Sequence, residues 1–332
     1  MVNIGIIGVG LVGSELISQL ATYASSVPRI SVIALTNSSK QLLSTPNYSP
    51  LELSTWKQTL QTQGNTANLS VFIDYVSNSP TPAIIIDNTS SQEIASQYPL
   101  FLEKGLHVVT PNKKAFSSEA TLYKEIIEEA KKNKKLVFNE STVGAGLPII
   151  STLKDLVRTG DKINRIEGIF SGTLSYIFNE FSKSGDDNGQ KFSEIVTVAK
   201  NNGYTEPDPR DDLNGLDVAR KVVILGRIAG MNLSLDTLPV ENIVPEPLPK
   251  NNNQVLRYVG VIDPVCGESG VKLVSLPLSH PFATLKGSDN MIAFTTQRFP
   301  NPLIIQGAGA GAAVTAFGIF SDILKIADRF EP

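Results

Sequence analysis

Short apolar runs alternate with stretches of helical periodicity in the first part of the chain. The apolar runs predict five strands: Val2–Ile7, Ile30–Leu35, Ala83–Asp87, His107–Thr110 and Leu136–Phe138. The helical spacing predicts three helices: Leu11–Tyr23, Ser91–Lys104 and Ser118–Lys132. Strands and helices that alternate in this way are typical of a parallel sheet with helices on both faces. Residues 36–70 are rich in Ser, Thr, Asn and Gln, so we expect irregular connections there with one short helix.

The pattern changes after Pro148. Helical spacing predicts four helices: Pro148–Val157, Leu174–Phe181, Phe192–Asn201 and Leu216–Ala229. Apolar runs predict five strands: Ile163–Phe170, Val255–Ile262, Val271–Leu276, Met291–Thr296 and Leu303–Gln306. We therefore expect a second, α+β domain with a mixed or antiparallel sheet. The Pro- and Asn-rich segment Pro245–Asn253 predicts a loop, and a last helix is expected over Ala312–Phe330.

Composition and charge fit a folded protein of two domains. The 332 residues exceed one ordinary core, and 41% hydrophobic with 18% charged residues argues against disorder. A net charge of -3 without a long basic run disfavours a nucleic-acid partner. Cys266 is the only cysteine, which excludes an internal disulfide and a multi-cysteine metal site. The sequence lacks a signal-peptide pattern and an apolar stretch of bilayer length, so we expect a cytoplasmic protein without membrane contact.

A dinucleotide-binding fingerprint lies between the first strand and the first helix. The segment Gly8–Gly13 reads Gly-Val-Gly-Leu-Val-Gly. In such a turn Gly8 allows a tight bend, Gly10 lets a pyrophosphate approach the backbone, and Gly13 lets helix and strand pack closely. The pattern alone is weak, but the strand, helix and second strand around it strengthen it. We therefore predict a Rossmann domain, an α/β doubly wound parallel sheet that binds a nicotinamide dinucleotide.

The residues after the second predicted strand bear on the choice of nucleotide. An acid that would hold the ribose 2′-hydroxyl of NAD is absent from Thr36–Lys40. The hydroxyls, amides and Lys40 of that segment could instead bind a 2′-phosphate, which favours NADP or dual use. An ordinary polar loop is an equal alternative.

Two further polar clusters follow strands of the same predicted sheet. They are Asp87–Ser91 and Thr110–Lys114. Ligands of open parallel sheets bind beyond the carboxyl ends of the strands, where both clusters should lie. For Ser90 or Ser91, capping the following helix is the simpler role.

An acidic segment precedes the predicted helix Leu216–Ala229. Gly203–Gly215 together with Asp217 holds five carboxylates, and two prolines stiffen the segment. A rigid acidic loop suits recognition of an amine or a cation, and a solvated turn is the alternative.

Asp217 and Lys221 are spaced one helical turn apart. We expect Asn214 to cap the helix and Asp217 to lie in its first turn. The pair shares a stripe with Ile224 and Ile228, whereas Arg220 and Arg227 mark the stripe expected to face solvent. An ion pair that is partly buried in an apolar stripe needs a reason, because desolvation offsets its attraction. A catalytic site is one reason, and a structural buried pair remains the other.

The other reactive side chains are sparse. His107 and His280 are the only histidines; we expect His107 to be packed in a strand and His280 to lie in a loop. A transition-metal site is therefore disfavoured. Cys266 follows a turn and lacks the context of a nucleophile.

Taken together, these segments resemble homoserine dehydrogenase of the fungal, monofunctional type. The resemblance spans nearly the whole chain, and its most specific string is GYTEPDPRDDLNGLDVARK at Gly203–Lys221. Six further strings support it: DNTSS at Asp87–Ser91, TPNKKAF at Thr110–Phe116, ESTVGAGLPII at Glu140–Ile150, GIFSGTLSYIFNEF at Gly168–Phe181, HPFATLKGSDN at His280–Asn290 and QGAGAGAAVTA at Gln306–Ala316. Fungal relatives carry a longer stretch before Val255 than this chain does.

The resemblance implies the activity and the domain boundaries. The reaction would be the reversible reduction of L-aspartate 4-semialdehyde to L-homoserine with NAD(P)H, in threonine and methionine biosynthesis. The protein would be a homodimer. Residues 1–147 with 307–332 would form the nucleotide domain, and residues 148–306 the substrate-binding and dimerisation domain.

The resemblance also implies roles for individual residues. Lys221, Lys113 and Asp217 would form the catalytic group, with Lys221 handling the proton. Substrate would be bound by Glu206, Asp217, Thr173 and Asp212. The nucleotide would contact Gly8, Gly10, Leu11, Val12, Gly13, Thr89, Ser90, Lys113 and Gly311. A monovalent cation, Na+ or K+, would be held near Glu140, Val143, Ala145 and Leu147, mainly by backbone carbonyls.

Two alternative functions share part of this pattern. An enzyme like aspartate-semialdehyde dehydrogenase begins with the same fingerprint, but it needs a cysteine nucleophile. A non-catalytic NADP-binding sensor would keep the fold without needing Lys221 and Asp217 on an apolar stripe.

Overall fold

Two units divide the chain in this computed structural model, which describes residues 1–23, 29–183, 190–205, 207–241, 243 and 254–330. The first unit contains Met1–Gly146 and the residues from Gly311 onward, and the second contains Leu147–Ala310. The loop expected at Pro245–Asn253 lies outside the described residues.

The helices and strands are numbered in chain order. The strands are β1 (Val2–Ile7), β2 (Ile30–Thr36), β3 (Lys40–Leu43), β4 (Asn65–Thr66), β5 (Ala83–Asp87), β6 (His107–Val109), β7 (Val137–Phe138), β8 (Ile163–Ile169), β9 (Gln254–Ile262), β10 (Ser269–Pro277), β11 (Asp289–Thr296) and β12 (Leu303–Ala308). The α-helices are α1 (Leu11–Tyr23), α2 (Trp56–Gln63), α3 (Leu69–Ser77), α4 (Gln92–Ala95), α5 (Tyr98–Glu103), α6 (Lys114–Ser117), α7 (Ala120–Lys132), α8 (Ile149–Arg158), α9 (Gly172–Phe181), α10 (Phe192–Asn201), α11 (Pro209–Leu213), α12 (Leu216–Ile228) and α13 (Ala312–Ala327). Three short 3₁₀ helices complete the set: Glu140–Thr142, Pro281–Ala283 and Asp328–Phe330.

A seven-stranded sheet forms the centre of the first unit, in the order β4-β3-β2-β1-β5-β6-β7. Five neighbouring strands, β2, β1, β5, β6 and β7, run parallel, and β3 and β4 add an antiparallel edge. This parallel sheet with β1 at the centre confirms the predicted Rossmann-type architecture.

Helices cover both faces of the central strand β1, which is why all six of its residues are buried. Ile4 and Ile6 belong to one cluster with residues of α1 and α13. Gly5 points to the other face, where an added Cβ would lie 2.7 Å from Val76 of α3. The glycine therefore lets α3 approach the sheet closely.

Two sequence predictions in this unit were wrong. The segment predicted as one helix over Ser91–Lys104 forms two, α4 and α5, because a proline ring at position 99 would clash with the carbonyl of Ala95 in a continuous helix. Residues 36–70 hold two short strands, α2 and the start of α3. Helix α3 begins where the Asn68 side chain accepts a hydrogen bond from the Val71 amide at 3.1 Å.

An antiparallel sheet forms the second unit, in the order β10-β9-β8-β11-β12. This confirms the expected α+β character. Helices α9 and α12 pack against β9. Gly260 permits this, since a Cβ there would lie 2.7 Å from Val222 of α12 and 2.8 Å from Phe170. In the part of the chain that the structure describes, every helix is too short or too polar to cross a membrane.

Candidate active site

The glycine turn of the first unit joins β1 to α1. Gly8 has a φ of 88°, a left-handed conformation that favours glycine. A Cβ at Gly13 would collide with the carbonyl oxygen of Gly8, whereas a Cβ at Gly10 would meet nothing within 4 Å among the described residues. Leu11 is 80% exposed at the start of α1. The turn thus has an open backbone edge at a helix N-terminus, which suits a phosphate.

Asn88 lies directly beside this turn. Its amide nitrogen would lie 3.2 Å from a Cβ at Gly13. Both polar atoms of its side chain are buried and lack a hydrogen-bond partner among the described residues. A buried amide left in this state is costly unless a ligand completes it. The residues of this turn therefore fit a bound dinucleotide, and the Asn88 side chain would be available to it. In the sequence analysis Asn88 was placed in the Asp87–Ser91 cluster without a role of its own.

A buried hydrogen-bond network holds the loops that follow β5 and β6. Asp87 is fully buried, and it accepts hydrogen bonds from Tyr98 (2.6 Å), Asn112 (3.0 Å) and the Thr89 amide (2.8 Å). Burial raises the pKa of the Asp87 carboxyl, although these donors oppose the shift. The Tyr98 hydroxyl also lies 2.9 Å from the Thr110 hydroxyl. The network fixes both loops at the carboxyl edge of the sheet.

Lys113 occupies a defined backbone position in the second of these loops. The neighbouring Asn112 donates to the Ser91 carbonyl at 2.9 Å and accepts from the Lys114 amide at 3.1 Å. Lys113 directly precedes α6, and its carbonyl accepts from the Ser117 amide at 2.9 Å. Ser91, not the exposed Ser90, caps α4 by accepting from the Ile94 amide at 3.3 Å. Thr89 lies against the glycine turn, where a Cβ at Gly8 would lie 2.8 Å from its Cγ2 atom.

The loop after β2 is ordered by its own side chains. Asn37 Oδ1 accepts from the Ser39 amide at 2.8 Å and from the Lys40 amide at 2.7 Å. Lys40 begins β3, and its ammonium donates to the Gln61 carbonyl. The loop therefore presents hydroxyl and amide groups without a carboxylate.

The turn predicted to hold a cation contains two consecutive left-handed residues, Gly144 (φ 75°) and Ala145 (φ 54°). Val143 and Ala145 are buried. Glu140 is also buried; its amide donates to Asp322 at 2.9 Å, and its carboxylate lies 3.6 Å from the Lys325 ammonium. Lys325 thus already supplies a positive charge to the side chain of Glu140.

The charges and carbonyl groups around this turn determine which atoms could bind a cation. Burial alone would lower the pKa of Lys325, but its hydrogen bond to Asp322 and the nearby carboxylates raise it. Leu147 belongs to the second unit, where its carbonyl accepts from the Ile149 amide at 2.8 Å. Among the described residues, no group of three or more His, Cys, Asp or Glu side chains could hold a metal ion. Backbone carbonyls would therefore have to supply most of the ligands of a cation at this turn.

Helix α9 brings Thr173 against the acidic segment of the second unit. Ser171 caps this helix by accepting from the Leu174 amide at 3.2 Å. The buried Thr173 hydroxyl lies 2.6 Å from the Tyr204 carbonyl oxygen and 2.9 Å from Asp212 Oδ1. Its single hydrogen can serve only one of these acceptors at a time. Thr173 and Asp212, both predicted to bind substrate, are therefore in contact.

Within the acidic segment Gly203–Gly215, the carboxylates have different surroundings. Glu206 lies outside the described residues. Asp208 caps the short helix α11 by accepting from the Arg210 amide at 3.0 Å, and its carboxylate pairs with the Arg210 guanidinium at 2.6 Å. These hydrogen bonds lower the pKa of Asp208 to about 2. Asp208 and Arg210 form a local surface pair, which matches the solvated-turn alternative for this part of the segment.

Lys221 of α12 is a buried charged group of the second unit. It is 6% exposed, and its ammonium lies 2.8 Å from Asp217 Oδ2 and 2.6 Å from the Phe170 carbonyl oxygen. Asn290 donates to the same carbonyl at 3.1 Å. The sequence reasoning did not single out Phe170 or Asn290, because neither is near Lys221 in the chain.

Two expectations about α12 were wrong. Its N-cap is Gly215, with a φ of 71°, and Asn214 instead accepts from the Leu216 amide at 2.8 Å. Arg227, which was expected to face solvent, is buried, and its guanidinium donates to the Leu233 carbonyl at 3.1 Å. The expected partial burial of the Asp217–Lys221 pair is confirmed, since the lysine side chain is 8% exposed and the aspartate side chain, in the first turn of the helix, is 49% exposed.

The histidines and the cysteine play local structural roles. His107 is buried, its Nδ1 accepts from the Leu136 amide at 3.0 Å, and burial lowers its pKa to about 4. His280 Nδ1 accepts from the Phe282 amide at 3.2 Å. Cys266 is exposed, and a hydrogen bond with Asp263 raises the pKa of its thiol. A raised thiol pKa disfavours the thiolate that a nucleophile requires.

Comparison with known proteins gives one family for both units. The family model for "Homoserine dehydrogenase" matches residues 148–324, and that for "Homoserine dehydrogenase, NAD binding domain" matches residues 8–140. Homoserine dehydrogenase of Schizosaccharomyces pombe is 46% identical over 359 aligned positions, which cover 98% of this chain and 95% of that protein. The Saccharomyces cerevisiae enzyme is 46% identical, with 99% of each chain covered.

A solved structure supports the same assignment. A hyperthermophilic archaeal homoserine dehydrogenase in complex with NADPH matches with a TM-score of 0.79 at 27% identity, covering 100% of this chain and 99% of that chain. The alignment with the Schizosaccharomyces pombe enzyme is longer than this chain, so that relative has residues without a counterpart here.

Proposed function

This chain belongs to the homoserine dehydrogenase family, oxidoreductases that act on a CH–OH group with NAD(P), and we propose that it reduces L-aspartate 4-semialdehyde reversibly to L-homoserine. The reaction would serve threonine and methionine biosynthesis. One observation links this function to particular residues. The buried Lys221 ammonium, which contacts Asp217 and the Phe170 carbonyl, lies within the matched segment 148–324.

In the proposed reaction the protein binds and orients the substrate and the nucleotide, and it transfers one proton. A bound nicotinamide supplies the hydride. As the aldehyde carbon is reduced, its oxygen gains negative charge, which the Lys221 ammonium stabilises before it transfers a proton to give the alcohol. In the reverse direction the neutral lysine takes the hydroxyl proton. Asp217 orients Lys221, and Lys113 is the second candidate for contact with the reacting oxygen.

Carboxylates of the second unit would hold the amino group of the substrate. Charge-assisted hydrogen bonds from a substrate ammonium to Asp212 and Asp217 suit this task. The contact of Thr173 with Asp212 at 2.9 Å supports a shared binding role. Glu206 joins them only by resemblance.

The test is an assay that separates this function from its two rivals. Purified protein is mixed with NADPH and aspartate 4-semialdehyde, and the absorbance of the reduced nucleotide is followed. Homoserine as product supports the proposal. An enzyme like aspartate-semialdehyde dehydrogenase would instead need phosphate and NADP and would lose activity on Cys266→Ser, an outcome that the exposed thiol with its raised pKa disfavours. Nucleotide binding without turnover would identify a sensor.

For the nucleotide, we propose that NADP binds at least as well as NAD. The loop Thr36–Lys40 offers hydroxyl and amide donors without a carboxylate, which supports this preference. The nucleotide would contact the glycine turn, Thr89, Ser90, Lys113 and the exposed Gly311 at the start of α13. Dissociation constants for both nucleotides test it. A preference for NAD of more than about tenfold, or about 1.4 kcal/mol, would overturn it.

We also propose a monovalent cation at the turn Glu140–Ala145, with Leu147 as a further contact. The left-handed Gly144 and Ala145 support it, because this conformation can turn successive carbonyls to one side. Activity and thermal stability should be higher in sodium or potassium than in a bulky organic cation. Equal behaviour in all three salts would remove the proposal.

The resemblance supports the expected assembly, and the sequence patterns described above support the expected location. We propose a homodimer that acts in the cytoplasm on a small-molecule substrate, without nucleic-acid or membrane partners. The net charge of -3 supports the absence of nucleic acid. Sedimentation of the purified protein at twice the monomer mass would support the dimer.

A further inference from the structure

The Phe170 carbonyl oxygen accepts hydrogen bonds from two side chains, the Lys221 ammonium at 2.6 Å and the Asn290 amide at 3.1 Å. We propose that Asn290 is a positioning residue for Lys221, acting through this shared carbonyl. The proposal rests on the proton-transfer role given to Lys221 above.

Strand pairing and a neighbouring glycine fix the direction of the Asn290 side chain. It is the second residue of β11, is fully buried and pairs in register with Gly307 of β12. A Cβ at Gly309 would collide with the Asn290 amide nitrogen, so the glycine makes room for that side chain. Strand pairing between β8 and β11 ends at Ile169 and Met291, and Phe170 follows directly. The amide thus reaches a carbonyl that lies just beyond the paired strands.

The buried side-chain amide of Asn290 destabilises the folded state through one of its two polar atoms. Its Oδ1 is buried and lacks a hydrogen-bond partner among the described residues. A buried acceptor left in this state costs on the order of 1–3 kcal/mol. A leucine of similar volume would avoid that cost, so the benefit of Asn290 lies in the hydrogen bond that it donates to Phe170.

That hydrogen bond affects Lys221 in two ways. It occupies part of the carbonyl, which has two lone pairs, and so restricts the direction from which the ammonium can approach. It also reduces the negative charge that the carbonyl offers to the ammonium, which keeps the neutral amine accessible. Both effects bear on a group that must lose and regain a proton.

Other ionisable groups lie on the elements that pack against α12. Asp217 on the same helix pairs with Lys221 at 2.8 Å. Asp212 on α11 is in contact with Thr173, and Tyr258 on β9 donates to the Glu241 carbonyl at 3.0 Å. Helix α8, which packs beside α12, carries Lys154, Asp155 and Arg158, and the neighbouring strands β9 and β10 carry Arg257 and Lys272. All of them stay unchanged when Asn290 alone is replaced.

The experiment compares pH profiles of homoserine oxidation in wild-type protein, Asn290→Ala and Asn290→Asp. Without the amide donor, the carbonyl holds the ammonium more strongly, so the pH of half-maximal kcat should rise by about 0.5 unit or more. Asn290→Asp adds a negative charge at nearly the same shape and should raise it further. Both variants should lower kcat about threefold or more near neutral pH, as a shift of that size requires, with little change in the KM for the nucleotide. If Asn290→Ala or Asn290→Asp does not fold, the pH profile of Asn290→Ser is measured in place of that variant.

Asn179→Ala is the matched control. Asn179 is also a buried amide of the second unit that donates to a backbone carbonyl, Gly287 at 2.9 Å, with its Oδ1 unpaired among the described residues. Its loss should lower thermal stability and leave the pH profile in place. An unmoved profile in the Asn290 variants, or an equal shift in Asn179→Ala, would overturn the proposal. If Lys221→Ala keeps full activity, the role of Lys221 itself is wrong, which is a separate result.

Discussion

Lys221 and Asp217 form an ion pair of 2.8 Å across one turn of α12, with the lysine side chain 8% exposed and the aspartate side chain 49% exposed. The pair therefore spans the boundary between core and surface. Because the ammonium is buried, removing Asp217 would leave a charge that is poorly compensated. Because the carboxylate is half exposed, it is also accessible to a ligand.

Lys221→Ala should lower kcat about 10²–10⁴-fold in both directions, since the variant lacks the proposed proton donor. Nucleotide affinity should stay nearly unchanged, because the nucleotide turn lies in the other unit. In wild-type protein, homoserine oxidation should increase as pH rises above neutrality and reduction should prefer lower pH. Steady-state kinetics across pH, with NADPH titration, measure all three quantities.

Lys114→Ala is the control for that experiment and should matter little. If Lys221→Ala keeps most of kcat in a folded protein while Lys113→Ala loses it, then the proton transfer belongs to Lys113.

Thr173→Val should raise the KM for the amino-acid substrate about tenfold. The change removes the hydroxyl that contacts both Asp212 and the Tyr204 carbonyl, and a hydrogen bond to a charged group is worth roughly 1.5–3 kcal/mol. The KM for the nucleotide should not change, and Thr173→Ser should restore the substrate KM. The exposed Thr197 serves as control through Thr197→Val. A wild-type substrate KM in Thr173→Val would make the Thr173 contact merely structural.

Gly13→Ala and Gly10→Ala should separate folding from nucleotide binding. A Cβ at Gly13 collides with the Gly8 carbonyl, so this variant should lose about 1–3 kcal/mol of unfolding free energy together with nucleotide affinity. A Cβ at Gly10 meets open space among the described residues, so that variant should keep its stability. It should still bind NADPH at least tenfold more weakly if a pyrophosphate approaches this backbone. Thermal unfolding and fluorescence titration measure the two effects, and wild-type affinity in Gly10→Ala would place the pyrophosphate elsewhere.

His107 should make the protein less stable as pH falls from about 6.5 to about 4. Burial lowers the pKa of His107 to about 4, followed in importance by the charges of Lys135 and Arg329. Between its unfolded and folded pKa values, the unfolded chain binds a proton that the folded chain does not, so stability increases with pH across this window. The full effect is up to about 3 kcal/mol.

His107→Gln removes this titration and preserves an acceptor for the Leu136 amide. Chemical denaturation at several pH values should give a shallower decline for the variant than for wild type. His280→Gln is the control. Parallel declines in His107→Gln and wild type would contradict the prediction.

The sequence by itself determined the elements whose signal is local. β1, α1 and α10 occur at the predicted residues because apolar periodicity and the glycine turn act over a few neighbouring positions. The four-residue spacing of Asp217 and Lys221 likewise determined that they share a helix face. Local signals failed where a second interaction intervened, as at Pro99, which divides the predicted helix Ser91–Lys104, and at Asn214, where Gly215 caps the helix instead.

The tertiary structure alone decided which distant groups meet. Periodicity indicates which face of an element is buried, but not what lies against that face. Asn290 reaches the Phe170 carbonyl across 120 positions because β8 and β11 pair in one register, and Asp87 meets Asn112 because β5 and β6 end at one edge. Arg227 lies in the core, where its guanidinium donates a hydrogen bond to the Leu233 carbonyl six residues further along the chain. Each of these contacts depends on where the chain returns in space, and one-dimensional patterns do not contain that information.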